Sequence, residues 1–162
     1  MKTLTKEMQA AITPSMALEL LKEGNKRFVS NLKVNRNLLQ QANETSDGQH
    51  PFAVILSCID SRTSAELIFD QGLGDIFSVR IAGNIINQEI IESIEFACQK
   101  IGTKLIVVLG HSNCGAVTFA VESGTEKYTS ITSKIEAPAR AKNSRLRRQS
   151  YLISLKTSRY AE

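Results

Sequence analysis

Phe52-Ala53-Val54-Ile55-Leu56-Ser57-Cys58-Ile59-Asp60-Ser61-Arg62 is the stretch on which the reading of this chain turns. Its first five residues form an unbroken apolar run, the pattern of a strand covered on both faces, as in parallel sheets. The run then gives way to a cysteine and an acid–base pair. Working outward, Asp75-Ile76-Phe77-Ser78-Val79-Arg80-Ile81 is a second strand candidate, and Lys104-Leu105-Ile106-Val107-Val108-Leu109-Gly110 is the third and strongest. Residues 64–69 between the first two read as a short helix closed by Gly72 and Gly74. Residues 88–101 read as a helix with Ile90, Ile91, Ile94, Ala97, Cys98 and Ile101 on one stripe and Gly102 as its stop. Helical spacing resumes over residues 115–123 and ends at Gly124.

Strands alternating with helices predict an α/β fold: a mostly parallel β-sheet core with βαβ crossovers, flanked by helices. Ahead of it lies an N-terminal helical extension, residues 1–45. There Thr13-Pro14 is a cap followed by a favourable first helical residue, and Met16, Ala17, Leu20, Leu21 and Phe28 follow near helical spacing. Residues 31–50 are polar, with a short helix expected over 37–42. In sheets of this kind, sites form beyond the carboxyl ends of the strands, where the strand order switches. Cys58 follows the first strand and His111 the third, so both are expected on that rim.

Cys58-Ile59-Asp60-Ser61-Arg62 and His111-Ser112-Asn113-Cys114-Gly115 carry the chemistry. Zinc accepts thiolate and imidazole ligands, and a catalytic site keeps three protein ligands and one open position. Cys58, His111 and Cys114 give that count. His111 and Cys114, three apart across a strand-to-helix turn, can face one ion, and helix N–H groups are expected to favour the thiolate of Cys114. Asp60 can either reach the fourth metal position or accept a bidentate ion pair from Arg62. Taken singly, each residue has a plainer reading: a buried apolar cysteine, a hydrogen-bonded histidine, a surface ion pair. Their convergence on one rim favours the metal.

With Val79-Arg80-Ile81-Ala82-Gly83-Asn84 lying between, Cys-x-Asp-x-Arg followed by His-x-x-Cys closely resembles the β-class carbonic anhydrases. The resemblance runs from about residue 16 to about residue 121. It implies zinc on Cys58, His111 and Cys114, and catalysis through the Asp60–Arg62 dyad. The reaction it implies is the reversible hydration of carbon dioxide to bicarbonate and a proton, with Ala82 and Gly83 against the substrate. It also matches Gln49 to a family glutamine that hydrogen-bonds bicarbonate from across a dimer interface, so a homodimer or higher homo-oligomer is implied. Ile55 stands where some members carry a tryptophan of a regulatory bicarbonate site, of which Arg80 matches another position.

The chain has 162 residues, 42% hydrophobic and 22% charged, enough for one domain. Its three cysteines do not suggest a disulfide framework. No apolar run is long enough for a membrane span, and Met1-Lys2-Thr3-Leu4-Thr5-Lys6-Glu7 lacks the features of a secretory signal, so a cytoplasmic protein is expected. Residues 1–133 hold 12 Lys/Arg against 14 Asp/Glu, whereas residues 134–162 hold 8 against 2. The expected division is therefore a zinc domain over 1–133 and a basic tail over 134–162, helical or disordered. From about Asn143 the tail matches nothing in the family by inspection. It holds only Tyr151 and Tyr160 as aromatics and no nucleic-acid-binding motif, which argues against a nucleic-acid partner. Two readings follow: an active carbonic anhydrase, or a folded zinc-binding relative that is catalytically inactive.

Overall fold

A computed structural model describes residues 3–123 and 128–140. Its centre is a three-stranded parallel sheet of order β2-β1-β3, with β1 Ala53–Ser57, β2 Ile76–Arg80 and β3 Leu105–Leu109. The helices are α1 Lys6–Ala11, α2 Pro14–Val29, α3 Leu38–Glu44, α4 Ala65–Ile68, α5 Gln88–Phe96, α6 Gly115–Ser123 and α7 Thr129–Arg140. A π-helical turn, Ala97–Ile101, extends α5, and Gly102 ends it at φ 86°. Among the described residues, no helix is long and apolar enough to cross a membrane.

Only β1 is buried along its whole length, because it is the central strand. Its Ala53 and Ile55 side face a core built with Ala17 and Leu21 of α2, Ala65 and Ile68 of α4, and Ile76, Val107 and Leu109 of the flanking strands. Each fully buried aliphatic side chain there contributes about 1.5–3 kcal/mol. The third strand forms where the sequence places it and lies at an edge of the sheet: Ile106 and Val108 are 51% and 37% exposed on the side opposite that core. Its apolar content matches that of β1, so composition alone does not distinguish edge from centre.

Two helix faces also differ from expectation. In α2, Ala17, Leu21, Gly24 and Asn25 are buried, while Met16 and Leu20 point outward. The helix has apolar residues on two adjacent stripes, and the packing uses the one containing Gly24. In α5, Ile90 is buried and Ile91 exposed. The short helix α1 is held by a tertiary contact: the buried Gln9 side chain donates to the carbonyls of Pro51 (2.7 Å) and Ile101 (3.1 Å). Asp70, after α4, is buried between Arg36 (2.6 Å) and Arg27, joining the loop after α2 to the body. Helix α7 crosses the expected 133/134 boundary, and its Ile135 is buried in a second small core with Ile85 and Ala120. The remainder of the basic tail, residues 141–162, lies outside the described residues.

Gly24 sits where α2 meets the end of α4. A Cβ added there would lie 1.6 Å from the Phe69 carbonyl oxygen. Helix propensity alone favours alanine over glycine by about 1 kcal/mol. Overpacking against backbone runs the other way and is larger here, because neither partner is a flexible side-chain end. Gly24→Ala is expected to lower unfolding stability by about 3 kcal/mol, read as a lower urea midpoint; a raised midpoint would show that propensity wins.

Candidate metal centre

The strand order 2-1-3 switches direction between β1 and β3, since the chain leaves β1 to one side and returns to the other. Their parallel register sets Ser57 beside Leu109, so the residues that follow each strand emerge next to one another. Cys58 comes off β1, and His111 comes off β3 after Gly110. Cys114 follows through a turn in which Asn113 has φ 52°, immediately before α6.

These three side chains meet: their ligand atoms all lie within 4.8 Å of one another. The two sulfurs are 3.8 Å apart. Two thiolates bound at about 2.3 Å to a tetrahedral ion would be about 3.8 Å apart, so the spacing fits a shared zinc. His111 is oriented for the same purpose. Its Nδ1 lies 3.0 Å from the Ser112 carbonyl, an acceptor, which assigns the proton to Nδ1 and leaves the Nε2 lone pair free. Nε2 is buried and has no hydrogen-bond partner among the described residues. Cys58 and the His111 side chain are each only 3% exposed, so the ligand atoms are largely shielded from solvent.

The two thiols are not equivalent. Burial pushes the Cys58 thiol up, but the backbone N–H groups of Asp60 and Gly83 oppose it, and the group lies below its ordinary value. Burial and the neighbouring Cys58 charge push the Cys114 thiol up, against the opposing pull of the Val117 and Ala116 N–H groups. The helix start therefore acts in the expected direction at Cys114 but does not prevail without a cation.

Asp60 and Arg62 form a planar bidentate pair: Nε donates to Oδ1 at 2.9 Å and Nη2 to Oδ2 at 2.8 Å, and the Arg62 backbone N–H also donates to Oδ1. These bonds hold the Asp60 carboxyl far below the usual carboxylate range. Arg62 Nη2 also donates to the Asn113 carbonyl at 3.3 Å, tying the first motif to the second. Of the two positions open to Asp60, the ion pair is the one adopted. The turn Ala82–Asn84 lies beside the ligands, with the Gly83 N–H 3.4 Å from the Cys58 sulfur.

Gln49 is elsewhere. It is exposed, with its Cβ 4.0 Å from where a Cβ at Gly74 would stand, at the amino ends of the strands. A five-residue strand rises about 3.3 Å per residue, which puts it on the order of 15–20 Å from its own chain's Cys58. Thr63 and Arg80 are close to the site; Thr63 drew no role from the sequence, and Arg80 only a match to a position of a regulatory bicarbonate site. Their partners are backbone carbonyls, which leave no signature in residue type.

The sequence model of the carbonic anhydrase family matches residues 53–160. The chain belongs to that family, in its β class. The match reaches past Asn143, further than inspection of the motifs carried it. Carbonic anhydrase 2 of Mycobacterium tuberculosis is 48% identical over 109 residues, covering 67% of this chain and 53% of that protein. The carbonic anhydrase of Mycolicibacterium smegmatis is 47% identical over 106 residues, covering 64% and 51%. The chain thus spans about half the length of the curated relatives it matches. Among solved structures, the β-carbonic anhydrase CcaA superposes with a TM-score of 0.56 at 30% identity, over 86% of this chain and 71% of that one.

The donor set predicts one zinc per chain. Cys58→Ser, His111→Ala and Cys114→Ser should each weaken zinc binding at least about a hundredfold, measured by competition with a chromophoric chelator. Unchanged affinity in any of the three would remove that residue from the ligand set.

Proposed function

We propose that the chain is a zinc enzyme that catalyses the reversible hydration of carbon dioxide to bicarbonate and a proton. The observation that carries this reading is the convergence of two sulfurs 3.8 Å apart with an unpartnered imidazole nitrogen, beside a bidentate Asp60–Arg62 pair. Zinc in that donor set would supply a Lewis acid that lowers the pKa of a water toward neutrality.

The protein's own groups supply the rest. Cys58, His111 and Cys114 hold the metal and leave one position for a small molecule. Asp60, kept ionised and paired by Arg62, accepts a hydrogen bond from whatever oxygen occupies that position and so fixes its orientation. Ala82 and Gly83 line an adjoining wall with small, weakly polar surface suited to a linear apolar gas. Gln49 of a second copy donates a hydrogen bond to bicarbonate; its remoteness from the site of its own chain supports a homodimer or larger homo-oligomer. The exposed Ile106 and Val108 on β3 also favour association. So does similarity to tetrameric β-carbonic anhydrases of Sordaria macrospora, at 26% identity and a TM-score of 0.53 over 63% of this chain and 56% of that one. Free thiol ligands suit a reducing compartment such as the cytoplasm.

A second reading, a zinc-binding relative without activity, is favoured by the sheet's three strands and open edges among the described residues. Stopped-flow hydration with zinc-loaded protein separates the two, with Cys58→Ser as the blank. The active reading predicts turnover well above that blank. It also predicts that Asp60→Asn and Arg62→Ala keep one zinc per chain but lose about a hundredfold in kcat/KM. Turnover no faster than the blank would establish the inactive reading, and unchanged rates in both variants would take the pair out of the mechanism.

A further inference from the structure

The segment between β1 and the 3-10 turn Ser61–Thr63 carries both a metal ligand and the dyad carboxylate, yet it belongs to neither strand nor helix. The carbonyls of Cys58 and Asp60 therefore have no ladder partner across the sheet. Each is instead held twice. The Thr63 hydroxyl, fully buried, lies 2.8 Å from both oxygens and shares its single proton between them. From the other side, at the end of β2, Arg80 Nε donates to the Cys58 carbonyl at 3.0 Å and Nη2 to the Asp60 carbonyl at 2.7 Å. The Thr63 backbone N–H adds a bond to the Asp60 carbonyl at 2.9 Å.

We infer that Thr63 and Arg80 together are positioning residues for the reaction, a two-sided clamp on the carbonyls of Cys58 and Asp60 that fixes the dyad carboxylate relative to the metal ligands. The inference deepens the hydration reading and rests on it. Arg62 alone does not locate Asp60 against the sheet, because Arg62 is two residues away on the same segment and its one tie outside it, to the Asn113 carbonyl at 3.3 Å, leads to the turn after β3 and not to a strand. What anchors that segment to the sheet is the Arg80 fork, reaching from the adjacent strand, and the Thr63 hydroxyl beneath it. A fork bridging two carbonyls two residues apart sets their separation as well as their direction. Supporting groups of this kind decide whether a site is productive or loose by an ångström, and a misplacement of that size costs on the order of a hundredfold in rate.

The two residues are bound to the same pair of acceptors, so their effects should not multiply. Arg80→Met keeps the stem and removes the fork; Thr63→Val keeps the shape and removes the hydroxyl. In zinc-loaded full-length protein, each is expected to keep one zinc per chain and lose about tenfold or more in kcat/KM, with KM changed less than about threefold. The double variant should be close to the worse single one. Thr63→Ser, which restores the hydroxyl, should recover most of the rate, whereas Arg80→Lys, a point donor that cannot reproduce the fork, should recover only part of it.

A readout independent of turnover accompanies these measurements: the visible d–d and thiolate-to-metal bands of the cobalt(II)-substituted protein, which report ligand geometry. The bands should shift in Arg80→Met and Thr63→Val and return in Thr63→Ser. Native bands in both Arg80→Met and Thr63→Val would overturn the clamp, as would single-variant losses that multiply in the double variant. If zinc-loaded wild type proves inactive, the hydration reading fails, and the cobalt bands still decide whether the clamp sets the geometry of the ligand segment.

Discussion

The parallel pairing of β1 with β3, in the register that sets Ser57 beside Leu109, is the constraint from which the site follows. Because the strands run the same way, both deliver their next residues to one rim. Because they are hydrogen-bonded neighbours, about 4.8 Å apart, those residues emerge within reach of one ion. An antiparallel pairing would have sent Cys58 and His111 to opposite ends of the sheet. Cys114 adds the second sulfur only because the left-handed Asn113 turns the chain sharply from the strand into α6. The candidate metal cluster is thus a consequence of topology before it is one of residue type.

Bringing two sulfurs to 3.8 Å has an electrostatic cost that the protein alone does not remove. Two unit charges at that distance repel by about 4 kcal/mol at an effective dielectric of about 20. The opposite displacements of the two thiols follow: Cys58, which receives several N–H donors, is brought below its ordinary value, and Cys114 is pushed above its own by burial and by the Cys58 charge. A divalent cation reverses this by stabilising both thiolates at once. The same argument explains why Asp60 is paired with Arg62 and turned toward its guanidinium. An unpaired third anion beside two sulfurs would compete with a small neutral molecule for the remaining position.

Much of this was legible in the sequence, and the exceptions have physical causes. Strand β1 and the two ligand motifs are visible because buried parallel strands and metal ligands restrict residue type. The edge position of β3 is not, since Ile106 and Val108 are as apolar as their buried counterparts on β1. Helix α1 is six residues long with no apolar stripe, and is secured by the Gln9 side chain reaching carbonyls 42 and 92 residues away. Ile135 is hidden by the polar residues beside it, Thr132, Ser133, Lys134 and Glu136. Thr63 and Arg80 are invisible for a related reason: any residue type can present the carbonyl they grip, so only the fold reveals what they do.

Gly83 shows how closely the rim is connected to the rest of the molecule. Its N–H lies 3.4 Å from the Cys58 sulfur, and its φ of 69° lets the chain fold back just beyond that contact. A Cβ at the same position would meet Ile135 Cδ1 at 2.5 Å, so the missing side chain is also what lets α7 close over the turn. One absent methyl therefore serves both the turn beside a ligand and the packing of a helix more than fifty residues later. Helix α7 is on that account part of the wall around the site, although its sequence reads as the start of a solvated tail. The turn that donates to Cys58 is held in place from behind by the small core of Ile85, Ala120 and Ile135, and the ligand geometry depends on that packing as well as on the sheet.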